Sequence, residues 1–308
     1  MKNIICIPFA FSKGFNSGVN VKKNNIVEVY LKNAVVALLS AKWENPECEV
    51  VFATNVPVDE IPSQYTNQLI ENEITILEID FKDYRFPKDY KWSLAFYKLC
   101  VLKEMLNKGF DNICYLDTDV YIQSKFDSVW KECEYRILLY DINHGYDVRE
   151  YKEMLTEVYQ FVGKETMLTH YGGEFFASNY ENAKKFETTM FTIYQEMLRS
   201  GFATTKGDEF IISIAAEQMK HIIKNASPYI GRFWTGVRFR LVSTCYRYNP
   251  VAVLHMPAEK ERGIIKLYDR YVSRNKKPSK QKVWKICRLY RSGLIESVFA
   301  KIRYYVKV

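Results

Sequence analysis

With 308 residues, 48% of them hydrophobic and 26% charged, the chain can bury a full core, which excludes a disordered or low-complexity polymer. No apolar run approaches the roughly 18 to 20 residues of a bilayer-crossing helix, which argues against an integral helical membrane protein. The net charge of +8 is lopsided: fifteen Lys/Arg face three acids from Lys260 to Val308, a local +12 that leaves −4 on residues 1–259.

Taken in order, Asn3 to Phe11 reads as a buried first strand. Lys2 and the run after it mimic a secretion signal, but the run is short, carries Pro8 and has no clear small-residue cleavage site. A polar loop, Ser12 to Asn20, follows. Ile26 to Ala41 has helical periodicity, Glu49 to Asn55 and Glu73 to Asp80 are strands, and Asp89 to Lys108 is a long helix. Asn112 to Leu116 is the next strand and Phe126 to Glu132 a short helix. Tyr135 to Asn143 is a strand, Val148 to Val162 a helix, and Tyr171 to Asn179 is extended. Glu181 to Ser200 and Asp208 to Lys220 are helices, and Ala252 to Pro257 is a late strand. This alternation predicts an α/β protein with a mixed, mostly parallel central sheet flanked by helices. It occupies residues 1–265, with a basic helical C-terminal tail over 266–308. In that tail Val283, Ile286, Cys287, Tyr290, Leu294 and Val298 recur at helical spacing among Lys282, Lys285, Arg288 and Arg291. Such a helix either lies on an anionic membrane surface or packs on the body with a solvated basic face. No nucleic-acid motif accompanies it, so nucleic acid is not expected as a partner. The seven cysteines, Cys6, Cys48, Cys100, Cys114, Cys133, Cys245 and Cys287, form no C-x-x-C pair and read as reduced core residues. A cytoplasmic setting, peripheral to the membrane at most, follows.

The chemistry concentrates where the strand Asn112 to Leu116 ends in Asp117-Thr118-Asp119. Residues two apart on an extended chain point the same way, so both carboxylates can meet one site at the carboxyl end of the sheet, where open α/β folds bind ligands. Two adjacent anions favour a hard divalent cation between them, Mn²⁺ or Mg²⁺, with positions left for substrate phosphates. The bland alternative is a solvated turn. In Tyr171-Gly172-Gly173-Glu174-Phe175-Phe176, the paired glycines admit a close approach of the backbone to a ligand, with Glu174 next to it. The alternative is a bulged strand with Glu174 in solvent. Gly207-Asp208-Glu209 before an apolar run is a helix start, and it also offers a carboxylate to a reacting group. His255, after the late strand, and Lys260, five residues on, offer a nitrogen ligand and a phosphate cation, although a lone histidine is more often structural. His144, His170 and His221 have no comparable setting.

In this order the motifs resemble nucleotide-sugar-dependent glycosyltransferases of the GT-A (Rossmann-like) fold over about residues 1–265. Lys91-Trp92-Ser93 before a helix with Tyr97-Lys98-Leu99, then Asp117-Thr118-Asp119, resembles retaining galactosyl- and N-acetylgalactosaminyltransferases of the blood-group type. The Gly172-Gly173-Glu174 and Asp208-Glu209 segments are similar to that family's sugar-pocket and catalytic-carboxylate segments. His255 and Lys260 look like the late His and Lys of glycogenin-like and lipopolysaccharide galactosyltransferases. Three departures stand out. Met256-Pro257 replaces the usual glycine after that His, the His–Lys spacing is one residue short, and Lys98 or Lys91 stands where arginine is often found.

The resemblance implies metal-dependent transfer from a nucleotide-diphosphate sugar, a UDP-sugar, to a glycan or lipid-linked acceptor in surface (capsular) polysaccharide synthesis. Retention is implied by the blood-group-type pattern; inversion, the carboxylate then acting as general base for the acceptor hydroxyl, is left open by the spacing. It implies Mn²⁺ or Mg²⁺ on Asp117, Asp119 and His255. Donor contacts are expected from Phe9, Ala10, Phe11, Lys91, Lys98, Asp117, Gly172, Gly173 and Lys260, with Phe9 or Phe11 stacked on the base. The carboxylate at the sugar is Glu209 first and Glu174 second, with Asp208 beside them. Two other classes compete: a haloacid-dehalogenase-like phosphatase, whose D-x-D wants Thr or Val where Tyr121 stands, and a non-catalytic sugar-binding scaffold at the membrane.

Overall fold

The structure, a computed structural model, describes residues 1–12, 26–87, 90, 92–143, 149–236 and 251–289, together with 298, 299, 302 and 305. The expected loop Ser12 to Asn20 beyond its first residue, the expected donor contact Lys91, and His144, Tyr290 and Leu294 lie outside the described residues.

A seven-stranded sheet runs in the order β3-β2-β1-β4-β7-β6-β8. Its members are β1 (Asn3–Phe9), β2 (Glu49–Thr54), β3 (Thr75–Glu78), β4 (Asn112–Leu116), β6 (Ile137–Asp141), β7 (Tyr171–Asn179) and β8 (Ile223–Asn225). β7 alone runs antiparallel to its neighbours β4 and β6; the other pairings are parallel. The mixed, mostly parallel sheet flanked by helices is therefore the observed fold. Strand alternation divides the core into two layers. Ile5, Ile7, Cys114 and Leu116 pack on one face with α1 (Ile26–Glu44), α2 (Ser63–Glu71) and α4 (Asp127–Cys133). Ile4, Cys6, Ile113 and Tyr115 pack on the other with α3 (Tyr97–Met105), α5 (Arg149–Val162), α6 (Tyr180–Ser200) and α7 (Asp208–Gln218).

A second sheet, β5-β10-β9, joins β5 (Val120–Ile122), β10 (Val253–His255) and β9 (Ile230–Arg232). Of these, only β10 was expected from sequence. α1 meets this sheet where Ser40 Oγ accepts from the Ile122 amide at 3.0 Å, and just beyond both, Asn45 Oδ1 accepts from the Phe126 amide at 2.7 Å.

Two expected helices are shorter than the periodicity suggested. Of the helix expected over Asp89 to Lys108, Asp89 lies outside the described residues; Trp92 adopts φ 65°, a left-handed conformation incompatible with a helix, a 3₁₀ turn begins at Ser93 and α3 at Tyr97. The single amphipathic helix expected through Val298 stops at Ile286, and Arg288 has φ 56°. Val283, Cys287 and Leu289 are buried in the core layer that α1 lines, so this part of the apolar stripe faces the body. The reason is a buried acid: Arg288 Nε donates to fully buried Glu259 Oε1 at 2.9 Å, which turns the chain inward.

Candidate active site

The small sheet aligns the site. In its register His255 lies between Val120, the residue after Asp119, and Arg232. Across the large sheet Leu116 pairs with Phe175, and the Asp117 amide continues the ladder by donating to the Glu174 carbonyl at 3.2 Å. Sequence-distant segments thus converge on one cleft of about 1380 Å³, lined among others by Phe9, Phe11, Lys98, Asp117, Asp119, Gly173, Glu174, Asp208, Glu209, Arg232, His255 and Lys260.

Asp117, Asp119 and His255 each offer a ligand atom within 4.8 Å of the others. Asp119 is 1% exposed. Its Oδ2 lies 3.2 Å from His255 Nε2 and 3.3 Å from Lys260 Nζ, yet it makes a well-formed hydrogen bond with neither. His255 Nδ1, 3.4 Å from Glu174 Oε1, is likewise buried without a hydrogen bond. Burial alone would raise the Asp119 carboxyl, but the Lys260 and His255 charges overcome it and hold it well below the usual range. For His255, burial works downward and the Asp119 charge upward, and the imidazole ends at about 9. Two oxygens and a nitrogen, one oxygen buried without a hydrogen-bond donor, fit a hard divalent cation.

Lys98, on α3, ties the first aspartate to two other segments. Its Nζ lies 2.6 Å from Asp117 Oδ1, 2.8 Å from the Gly173 carbonyl and 3.3 Å from Asp208 Oδ2. Asp208 is pushed up to about 7, because burial outweighs the Lys98 charge and the nearby Glu209 and Asp117 anions add to it. Lys260 sits with Nζ 5.4 Å from the centre of the Tyr30 ring, and its carbonyl accepts from Asn33 Nδ2 at 3.0 Å.

Glu174 is completely buried. Arg232 grips it with two hydrogen bonds, Nε to Oε1 at 2.6 Å and Nη2 to Oε2 at 2.8 Å. Burial raises the Glu174 carboxyl, but the Arg232 charge and the neighbouring His255 bring it down to about 2. Glu209, 24% exposed at its side chain, takes His170 Nε2 at 2.9 Å on Oε2 and Arg232 Nη2 at 3.4 Å on Oε1. Its carboxyl is lowered: burial pushes up, and the His170 hydrogen bond and Arg232 push down harder.

The paired glycines are explained by packing. A Cβ at Gly172 would stand 1.8 Å from Glu174 Oε2, and one at Gly173 would stand 1.8 Å from Asp208 Oδ2. Gly173 lines the cleft, whereas Gly172 does not. Phe9 is buried against Phe52, the ring centroids 6.1 Å apart and stacked, while Ala10 and Phe11 are partly exposed at the cleft edge.

Sequence reasoning missed Arg232 and misread His170. Arg232 carried no signal, being one basic residue in a three-residue strand 58 positions from its partner Glu174. His170 directly precedes Tyr171-Gly172-Gly173, an adjacency that marked it as a neighbour of the site. His221 is not among the cleft residues.

No protein-family model and no curated protein matches the chain. Solved structures do. An active-site mutant of LgtC superposes with a TM-score of 0.53 at 15% identity, covering 82% of this chain and 86% of that one. Galactosyltransferase LgtC in complex with donor and acceptor sugar analogues gives 0.53 at 13% identity, covering 92% and 99%. Mouse xyloside xylosyltransferase 1 in its apo form gives 0.54 at 11% identity, covering 83% and 97%. At these identities the likeness is one of architecture, and the chain has the GT-A fold of these glycosyltransferases.

Proposed function

We propose that this protein is a metal-dependent glycosyltransferase that moves a sugar from a UDP-sugar to a glycan or lipid-linked acceptor, with retention at the anomeric carbon. The observation that carries the reading is the Asp117–Asp119–His255 cluster, flanked by Lys260, in the main cleft of a GT-A fold. When bound there, Mn²⁺ or Mg²⁺ supplies Lewis-acid neutralisation of the donor's diphosphate. His255 offers Nε2 toward the aspartates, and its Nδ1 lies 3.4 Å from Glu174 Oε1, the carboxylate that would accept its proton and fix the ring's tautomer once Nε2 ligates a metal. Lys260, steadied by Asn33 and Tyr30, adds positive charge where the leaving diphosphate collects negative charge. Lys98, shared by two carboxylates and a carbonyl, orients Asp117 more than it meets substrate.

A developing oxocarbenium ion is stabilised by a carboxylate on its face. Glu209 fits that role, being ionised, partly exposed and lining the cleft. Glu174 has both oxygens engaged by Arg232 and no exposure, so we assign it to holding Arg232 and His255 in place. Phe11 at the cleft edge, rather than buried Phe9, is the ring available for base stacking. Gly172 acts through its closeness to Glu174, outside the donor site.

We further read residues 1–265 as the transferase domain, although its boundary falls within the helix Gly263–Arg270. Val298, Phe299, Ile302 and Tyr305 are exposed at helical spacing in the basic C-terminal segment, which supports contact with an anionic membrane surface from the cytoplasmic side. Among the described residues no helix is long and apolar enough to cross a membrane. Assembly of a surface polysaccharide such as a capsule suits an enzyme so placed. A panel of UDP-, GDP- and CMP-sugars, scored by thermal stabilisation with Mn²⁺ and with EDTA, tests the reading. A UDP-sugar should raise the melting temperature only with Mn²⁺, and no stabilisation by any donor would refute it. Hydrolysis of the stabilising donor separates an enzyme from a sugar-binding scaffold, which would release no UDP.

A further inference from the structure

We propose that His170, held in a single tautomer by Asn143, is the positioning residue of Glu209; this rests on reading Glu209 as the carboxylate at the sugar. The His170 ring is 2% exposed at its side chain, and both of its nitrogens are engaged. Nε2 lies 2.9 Å from Glu209 Oε2, and Nδ1 lies 3.3 Å from Asn143 Nδ2. Glu209 is ionised and can only accept, so Nε2 must carry a proton. Nδ1 of a neutral ring is then an acceptor, which the Asn143 amide satisfies as donor. Asn143 is itself fixed by a tight turn in which its backbone amide donates to Asp141 Oδ1 at 3.0 Å. The order of donation runs from Asn143 to His170 to Glu209.

The arrangement does what a second cation could not. Arg232 already shares its charge between Glu174 and Glu209. A further lysine or arginine on Oε2 would hold the carboxylate but cancel the negative charge an oxocarbenium ion needs. A neutral N–H donor fixes the plane of the carboxylate and leaves its charge in place. Two of its acceptor positions are used by His170 and Arg232, and the residue itself lines the cleft.

The test has a spectroscopic and a kinetic arm. Long-range ¹H–¹⁵N NMR of the metal-free protein at neutral pH should show one imidazole, identified by its loss in His170→Gln, as the neutral Nε2–H tautomer. An Nδ1–H tautomer or an imidazolium at that ring would overturn the proposal. Asn143→Asp replaces the donor by an acceptor and should convert the same ring to an imidazolium between two carboxylates; an unchanged neutral tautomer there would also overturn it. In the kinetic arm, UDP release is followed with Mn²⁺ and UDP-glucose, UDP-galactose or their N-acetylhexosamine counterparts. His170→Gln keeps an amide donor in place of Nε2–H and should retain kcat within about 3-fold, while His170→Leu should lose about 10- to 100-fold in kcat with donor KM nearly unchanged. Wild-type kcat in a folded His170→Leu variant would end the positioning role. If the wild-type protein releases UDP from none of these donors, the glycosyltransferase reading fails, and the tautomer alone decides whether the Asn143–His170–Glu209 order of donation stands.

Discussion

Asp208 offers a stability change whose size follows from its surroundings. Its carboxyl rises from an ordinary 3.8 to about 7, chiefly through burial. The folded state therefore holds a proton that the unfolded state has lost, and the stability tied to that proton disappears as pH rises through the folded value. At about 1.4 kcal/mol per unit, the site costs the folded state about 2 kcal/mol at pH 5, where it must hold the proton, and more than about 4 kcal/mol at pH 8 and above, where it must hold the charge. Asp208→Asn keeps an oxygen for the Lys98 ammonium, which retains Asp117 as its ion partner. The variant removes the titration, so its stability relative to wild type should climb by about 3 kcal/mol between pH 5 and pH 8. Urea denaturation in EDTA at several pH values measures this directly, since the difference between the two proteins cancels titrations they share. A difference that stays flat from pH 5 to pH 8, or a variant that loses ground as pH rises, would refute the assignment of a burial-raised carboxyl.

Three further outcomes follow from the same geometry. Arg232→Met should destabilise the protein by about 3–5 kcal/mol in denaturant, because it removes both hydrogen bonds to buried Glu174 and leaves only His255, 3.4 Å away, beside it; a loss under 1 kcal/mol would show that His255 alone suffices to hold the buried carboxylate. Gly172→Ala should cost about 1–3 kcal/mol and reduce UDP release, since the new methyl would meet Glu174 and Ile142, the first of them held by Arg232; neutral behaviour would mean that Glu174 is free to move. Removing residues 290–308 should weaken sedimentation with phosphatidylserine vesicles and leave UDP release nearly intact, because the buried Val283, Cys287 and Leu289 stay with the body; equal sedimentation by both forms would end the membrane assignment.

The sequence carried the large sheet and the grouping of Asp117, Asp119 and His255 because their signals are local. An apolar run that stops at Asp117-Thr118-Asp119 announces a buried strand with acids at its end. A short strand before His255 announces the second half of the same cluster. The antiparallel direction of β7 was not legible, since a continuous apolar run looks the same in either direction. The partners β5 and β9 are three residues each, too short for a period to show. Arg232 escaped for a different reason: it is defined by a partner far along the chain, Glu174, and no spacing rule links them, whereas His170 stood directly before the glycine pair and only its partner Glu209 was hidden. The glycine pair was visible, but its cause was not. Gly172 and Gly173 make room for the protein's own carboxylates, Glu174 and Asp208. In the tail, periodicity suggested one continuous helix where a buried ion pair, Arg288 with Glu259, turns the chain.

The central claim is that Asp117, Asp119 and His255 together hold a divalent ion that grips the donor's diphosphate. Anomalous diffraction at the manganese edge, from crystals grown with Mn²⁺ and UDP, tests it most directly. The account predicts one peak within coordination distance of both aspartates and His255 Nε2, with the diphosphate oxygens of UDP completing the shell and Lys260 beside them. A manganese peak away from these three side chains, or a diphosphate bound in the cleft with no metal beside it, would contradict it.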